Sequence, residues 1–166
     1  MKKYFITCIL LVVLNQIHAQ KKVTPITQSV LTGVTLPAGS TQDKRVLIEM
    51  SGKILLEMES KKAGTTINTT EILYLPSVAA CGFTADSLVN QLTALGWSIT
   101  PVEGDNKYVW LQKDNRFLLT YLSTGKKQTD LYFGEANTPP AFATGAIPQQ
   151  DTQNNGGNSQ QQQQNQ

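Results

Sequence analysis

Residues 84–133 read TADSLVNQLTALGWSITPVEGDNKYVWLQKDNRFLLTYLSTGKKQTDLYF, and this stretch decides the fold. Its first part predicts an amphipathic helix, because Thr84 is a favoured N-cap residue and leucines follow at helical spacing. These leucines are Leu88, Leu92 and Leu95. Gly96 stands where a left-handed residue closes a helix, and Trp97 is placed to fold back on the last turn. The pattern therefore predicts one helix that ends at Gly96.

After this helix the pattern changes to short β-type runs separated by polar turns. The runs are 97–100, 108–111, 117–122 and 131–134. Each run is rich in β-branched, aromatic or leucine residues, whereas the segments between them contain Gly, Asp, Asn and Lys. Short turns between successive strands are typical of antiparallel hairpins. The second part of the stretch therefore predicts an antiparallel meander.

Residues 33–75 supply the remaining predicted elements. Residues 34–39 are expected to form a short strand or edge segment that ends in a turn at Pro37–Gly39. Thr69–Leu75 is expected to form a longer strand that ends at a proline. The segment 40–64 fits either a helix or a hairpin that turns at Ser51-Gly52. We favour the helix, because one glycine inside a helix costs only about 1 kcal/mol. Its apolar stripe at helical spacing comprises Leu47, Met50, Ile54 and Met58.

Together these elements predict a single α+β domain over residues 33–136. Two helices would cover one face of a mostly antiparallel sheet of about five strands, which gives two layers. A chain of about a hundred residues is an ordinary size for one domain, and it can bury a core without disulfides.

The N-terminus has the pattern of a secretory signal peptide, residues 1–19. Lys2 and Lys3 precede the apolar run Phe5–Leu14, and Ala19 offers a small residue for cleavage. The run is shorter than the roughly 20 residues that span a bilayer. We therefore expect an exported protein, periplasmic or extracellular, with no transmembrane segment after cleavage and a flexible lead-in over residues 20–32. An uncleaved N-terminal anchor is the alternative.

Cleavage would remove groups on which common catalytic chemistry depends. The single histidine, His18, lies in the predicted signal peptide, so the mature chain would lack Ser/His and Cys/His pairs and an imidazole metal ligand. The loss of Lys2 and Lys3 would leave 12 basic residues against 12 acidic ones. That balance gives no basis for nucleic-acid binding, and no cofactor or metal site is predicted. Cys81 would be a lone thiol, either a small buried residue or the source of an intermolecular disulfide.

Four carboxylates remain as candidate acid–base groups. They are Glu103, Asp105, Asp114 and Asp130. Catalysis would require two of them to converge in a cleft that shifts a pKa. Acidic residues in turns between strands are usually solvated, so the sequence favours turn positions without catalytic function.

The C-terminal segment, residues 137–166, is predicted to be a disordered tail. It begins with Asn137-Thr138-Pro139-Pro140, and 13 of the 18 residues in Gln149–Gln166 are Gln or Asn. Such a segment has little apolar surface to offset the entropy of ordering. A tract rich in Gln and Asn can also self-associate.

Aromatic residues on the predicted strands form the candidate binding surface. They are Tyr108, Trp110, Tyr121 and Tyr132. Both sides of the strands around them are largely apolar, which is more than a half-exposed sheet requires. One side must pack on the helices, and the other could present Tyr and Trp to a partner. The alternative is that these aromatics belong to the core.

The sequence thus favours an exported, non-catalytic protein that binds a protein or glycan partner in the cell envelope. An enzyme that uses carboxylates on envelope or polysaccharide substrates is one alternative. An inhibitor of an exported hydrolase, with the loop Pro76–Gly82 inserted into its target, is another. The sequence does not distinguish their ligands or an oligomeric state.

Overall fold

A computed structural model describes residues 23–144 of the chain. Seven strands are β1 Val23–Pro25, β2 Thr41–Asp43, β3 Ile67–Pro76, β4 Ser98–Pro101, β5 Tyr108–Lys113, β6 Arg116–Thr124 and β7 Gln128–Ala136. Four helices are α1 Val46–Lys62, α2 Val78–Cys81, α3 Ala85–Ala94 and α4 Ala141–Thr144. The predicted signal peptide and residues 145–166 of the predicted tail lie outside the described residues.

The seven strands form one antiparallel sheet in the order β1-β2-β3-β7-β6-β5-β4. The predicted α+β class is confirmed, and so is the meander, since β4 to β7 pair in succession. The sheet has seven strands where about five were expected. Strands β1 and β2 were missed because each has three residues and no apolar alternation.

Helix α3 has the ends that the sequence predicts. The Thr84 hydroxyl accepts a hydrogen bond from the Ser87 amide at 3.2 Å, and the Ser87 hydroxyl accepts one from the Thr84 amide at 3.3 Å. Gly96 is left-handed with φ 84°, and the Trp97 amide donates to the Leu92 carbonyl at 3.0 Å. This reciprocal cap and Schellman-type end fix both the start and the stop of the helix.

Segment 40–64 contains a helix, α1, rather than a hairpin, but its apolar stripe faces outward. Leu47, Met50, Ile54 and Met58 are exposed, whereas the buried residues are Gly52, Leu56, Glu59 and Ser60. Close contact with the sheet explains this orientation. A Cβ added at Gly52 would lie 2.2 Å from Cδ1 of Ile72, and one at Gly134 would lie 2.9 Å from Cδ1 of Leu56. The helix therefore packs on the sheet through the side that carries Gly52, and its apolar stripe does not form this contact.

The two long helices pack on opposite faces of the sheet. Leu88 and Leu92 of α3 share a core cluster with Leu73 of β3. On the other face, α1 contacts Ile72, the neighbouring residue of the same strand, through Gly52. Successive residues of a strand point to opposite faces, so the two helices cannot share one. The expected two-layer arrangement, with both helices on one face, is therefore wrong, and the sheet lies between them.

The expected flexible lead-in is part of the fold from Val23 onward. Strand β1 pairs with β2, and the loop that follows is fixed by the buried carboxylate of Glu71 on β3. This carboxylate accepts hydrogen bonds from the Ser29 hydroxyl at 2.7 Å and from the amides of Val30 and Leu31 at 2.9 and 3.2 Å. The expected strand at 34–39 is reduced to one bridge between Gln28 and Thr35.

Residues 137–144, which were assigned to the predicted tail, belong to the described fold. The Asn137 amide donates to the Thr66 carbonyl at 2.9 Å, and the Thr65 hydroxyl donates to the Thr138 carbonyl at 2.9 Å. These contacts bring α4 against the C-terminal end of α1, where the Ala141 amide donates to the Ala63 carbonyl at 2.8 Å. In residues 23–144 no helix combines the length and apolar character that crossing a membrane requires.

Candidate functional site

A row of four tyrosines crosses the sheet on the α1 face. Tyr108, Tyr121, Tyr132 and Tyr74 lie on the neighbouring strands β5, β6, β7 and β3. Ring centroids are 5.1 Å apart between Tyr108 and Tyr121, 5.3 Å between Tyr121 and Tyr132, and 6.3 Å between Tyr132 and Tyr74. Direct cross-strand pairing of Tyr121 with both Tyr108 and Tyr132 produces this row.

The predicted binding surface divides into buried and half-buried members. Tyr108 and Trp110 retain only 7% and 4% of their surface exposed, so for these two the core alternative is correct. Tyr121 and Tyr132 are half-buried. All four predicted residues lie on one face of the sheet. Tyr108 and Trp110 are two positions apart on β5 and therefore point to the same side. Tyr121 pairs directly with Tyr108 and with Tyr132, so these tyrosines share that side.

Burial raises the pKa of two tyrosines in the row, Tyr108 and Tyr132. Burial, and the nearby Tyr121, raise the pKa of Tyr108 to about 12. Burial, assisted by a hydrogen bond with Tyr74, raises the pKa of Tyr132 well above its usual value. Both hydroxyls therefore stay protonated at neutral pH, so this row offers hydrogen-bonding phenols and aromatic surface.

A cavity of about 410 Å³ lies beside this row at the C-terminal end of α1. Its wall is apolar where Trp110 of β5 meets Phe142 of α4, with ring centroids 5.8 Å apart. Pro101 at the end of β4 and Val102 of the β4–β5 connection line another side. Four separate elements thus meet around one concave site of a size that is usual for small ligands.

Charged groups line the mouth of this cavity. Glu59 and Lys62 of α1 are joined by an ion pair of 2.6 Å, and Glu103 lines the cavity from the β4–β5 turn. The hydrogen bond with Glu59 raises the pKa of Lys62. Glu59 is buried, whereas the Lys62 side chain is 71% exposed. The site therefore combines an aromatic wall with two carboxylates and one ammonium group.

A second hollow, of about 810 Å³, lies on the other side of the same turn. Its lining includes Gly104, Asp105 and Tyr108, and it shares Pro101 and Val102 with the first cavity. Glu103 and Asp105 thus line adjacent hollows. Asp105 is partly engaged locally, because its carboxylate accepts a hydrogen bond from the Lys107 amide at 2.9 Å.

The other two candidate carboxylates lie elsewhere. Asp114 occupies the β5–β6 turn with φ 53°, and Asp130 on β7 accepts a hydrogen bond from the Gln128 side chain at 2.7 Å. Neither lines the cavity beside Trp110. The four carboxylates are therefore distributed over two turns and a strand.

Metal and thiol chemistry have limited support in the described chain. Within residues 23–144 no three His, Cys, Asp or Glu side chains are grouped as metal ligands would be. Cys81 is half-buried, packs against the core cluster on the α3 face, and lies 3.5 Å from the Pro76 carbonyl. Cys81 therefore lies at the edge of the core, less deeply than the small buried residue that the sequence offered as one alternative.

Sequence reasoning found Trp110 but missed Glu59 and Phe142 as members of this site. Glu59 was read only as part of the predicted helix in segment 40–64, and Phe142 only as part of the predicted tail. A bulky aromatic soon after a Pro-Pro pair was the one signal that this segment returns to the domain. Comparisons with protein-family models, with curated proteins and with solved structures find no match for this chain.

Proposed function

We propose that this protein is an exported, non-catalytic binding protein that holds a glycan of the cell envelope. The observation that carries the proposal is the cavity beside Trp110, with its aromatic wall and charged mouth. The N-terminal signal pattern supports export to the periplasm or the exterior.

The chemistry of the cavity favours a sugar over a wholly apolar ligand. The C–H faces of a pyranose pack on an exposed aromatic ring such as Phe142, which lies against buried Trp110. The hydroxyls of the sugar require hydrogen-bond partners at the edge of the cavity. Glu59, Lys62 and Glu103 are placed to supply both acceptors and a donor. A peptide would use the same aromatic wall, but it carries fewer hydroxyl groups for this mouth.

The two alternatives receive less support. A carboxylate enzyme needs two free carboxylates that converge. Asp114 and Asp130 lie apart from the cavity that Glu103 lines. Glu59 shares that cavity with Glu103, but its carboxylate is held in an ion pair with Lys62. An inhibitor with the loop Pro76–Gly82 inserted into a target needs an extended segment, and this loop forms a helical turn, α2.

Titration with soluble oligosaccharides released from cell envelopes tests the proposal. Tryptophan fluorescence reports on Trp110, and a Trp97→Phe background removes the other tryptophan signal. We expect Phe142→Ala to weaken glycan binding at least tenfold, a loss of about 1.4 kcal/mol or more. Phe142 is 47% exposed, so this change should leave the fold intact.

The matched control is Val89→Ala, an equally exposed apolar truncation on α3, on the opposite face of the sheet. It should bind like the unaltered chain. Equal binding by Phe142→Ala and the unaltered chain, or binding of short envelope peptides in place of glycans, would contradict the proposal.

A further inference from the structure

The outer face of α1, defined by Leu47, Met50, Ile54 and Met58, exposes an unusual amount of apolar surface. These side chains are between 55% and 77% exposed, and Val46 beside them is 60% exposed. These five side chains lie together on one helix, and the largest apolar patch on a monomeric protein is usually only about 300–600 Å². Such a patch on a regular helix is typical of an interaction surface.

The orientation of this face is enforced by the packing beneath it. Gly52 and Leu56 lie on the opposite side of α1, against Ile72 and Gly134 of the sheet. Rotation of the helix to bury the apolar face would move those close contacts and place larger side chains where Gly52 now fits. The fold therefore holds these side chains outward.

We propose that the outer face of α1 pairs with the same face of a second copy of the chain, in an antiparallel helix pair. The residues are spaced symmetrically about Ile54: Met50 and Met58 lie four positions to either side, and Leu47 and Lys61 lie seven. A two-fold axis at Ile54 places Ile54 against its copy and Met50 against Met58. Leu47 then meets the aliphatic stem of Lys61.

The charges along one flank of α1 suit this two-fold arrangement. Lys53 and Glu57 form an ion pair of 3.7 Å on the same helix, within one turn of Ile54. In an antiparallel pair each flank faces the same flank of the copy, so Lys53 comes beside the copy's Glu57, and Glu57 beside its Lys53. Lys61 and Lys62 are brought to opposite ends of the helix pair, so their charges are not juxtaposed.

Other segments of this chain are poorly suited to cover the outer face of α1. The stretch Gln149–Gln166 consists mainly of Gln and Asn, which cannot replace apolar contacts. The apolar run Phe5–Leu14 is predicted to leave with the signal peptide. The patch is somewhat smaller than the ~800 Å² per partner of a standard stable interface, so the dimer exchanges with monomer.

Sedimentation over a range of protein concentrations tests this inference. The sample is the natural protein as purified from cells, with the signal peptide already removed if it is cleaved. We expect a monomer–dimer equilibrium, and Ile54→Lys should weaken it at least tenfold because it places two ammonium groups at the axis. Val89→Lys is the control, since Val89 is an exposed residue of α3 on the other face of the sheet. A monomer at every concentration, or a dimer that Ile54→Lys leaves intact, would overturn the proposal.

Cysteine cross-linking tests the register. In a Cys81→Ser background, Ile54→Cys should form a disulfide between copies under mild oxidation. A mixture of Met50→Cys and Met58→Cys chains should cross-link to each other more than either does to itself. If Met50→Cys chains cross-linked to one another more than to Met58→Cys chains, this would contradict the antiparallel register. The test does not use the cavity beside Trp110, so its outcome is independent of glycan binding.

Discussion

At the scale of single residues, Glu71 is the group that joins the N-terminal loop to the sheet. Its side chain is buried on β3, and the Ser29 hydroxyl and the amides of Val30 and Leu31 all donate to it. The hydrogen bonds that this carboxylate accepts offset the cost of its burial. An amide in its place would bring two N–H donors, and these would face other donors instead of acceptors.

We expect Glu71→Gln to lower the free energy of unfolding by about 1–3 kcal/mol, because buried hydrogen-bonding groups lose their partners. Urea denaturation measures the change. Glu135→Gln is the matched control: Glu135 forms a partly exposed ion pair with Arg116, so its loss should cost less than about 1 kcal/mol. Equal effects of the two changes would show that the Glu71 contacts contribute little.

The lead-in was missed from the sequence because its anchor is distant. Ser29 and Glu71 are 42 positions apart, and nothing local in residues 20–32 indicates an apolar core segment. A glutamate in the middle of a predicted strand was the only local sign that a buried partner exists. By contrast, the ends of α3 depend on neighbours such as Thr84 and Ser87, and these were predictable.

At the scale of elements, α1 shows why a periodic pattern does not identify the buried side of a helix. The spacing of Leu47, Met50 and Ile54 correctly placed them on one face. Which face packs on the sheet was decided by Gly52 and by Gly134 on a strand far along the chain. That steric fit is absent from the local sequence, so the helix was predicted and its orientation was not.

Gly52→Ala should therefore destabilise the protein although alanine favours helices. The added methyl would overlap the side chain of buried Ile72, and overpacking costs about 1–3 kcal/mol against a gain of about 1 kcal/mol in helix propensity. We expect a net loss of about 1 kcal/mol in urea denaturation. Ser51→Ala, on the exposed side of α1, should not destabilise.

A double variant separates steric overlap from other effects at this position. Ile72→Val removes Cδ1, the atom closest to the added methyl. Gly52→Ala should therefore cost less in the Ile72→Val background than in the unaltered chain. Equal costs in the two backgrounds would contradict the steric explanation.

At the scale of the whole molecule, the tyrosine row couples global stability to alkaline pH. In the unfolded chain a tyrosine loses its proton near pH 10, whereas Tyr108 in the fold holds it until about pH 12. Between these values the unfolded state releases more protons, so stability is full below pH 10 and is lost as pH rises towards 12. Tyr132, whose pKa is also raised by burial, adds to this loss.

Tyr108→Phe should make alkaline destabilisation shallower. The urea midpoint of unfolding is measured from pH 7 to pH 12 for the variant and for the unaltered chain. The difference between the two midpoints at pH 7 is the baseline. Above pH 10 we expect the difference to shift in favour of the variant, because phenylalanine has no proton to release. Parallel curves over the whole range would contradict a raised pKa for Tyr108.

The candidate site was predictable only in part, because its residues come from elements that are far apart in the sequence. Trp110 was singled out because apolar residues on both sides of a strand exceed what one covered face needs. The cavity beside it is assembled from α1, α4, β5 and the β4–β5 turn. Sequence spacing does not reveal that residues 59, 103 and 142 meet. The sequence therefore indicated Trp110 of the aromatic wall, but not the charged residues at the mouth of the cavity.

The position of β7 has a consequence for the order in which the domain can be completed. β7 is the last strand along the chain, yet it lies in the middle of the sheet between β3 and β6. Ile72 pairs with Tyr132, so a ribosome must add 60 residues after Ile72 before that partner exists. Closing so long a loop is slow compared with forming the hairpins of β4 to β7. Until the meander has formed, β3 therefore has an unpaired edge, and this interval is when the folding chain is most exposed to wrong pairing.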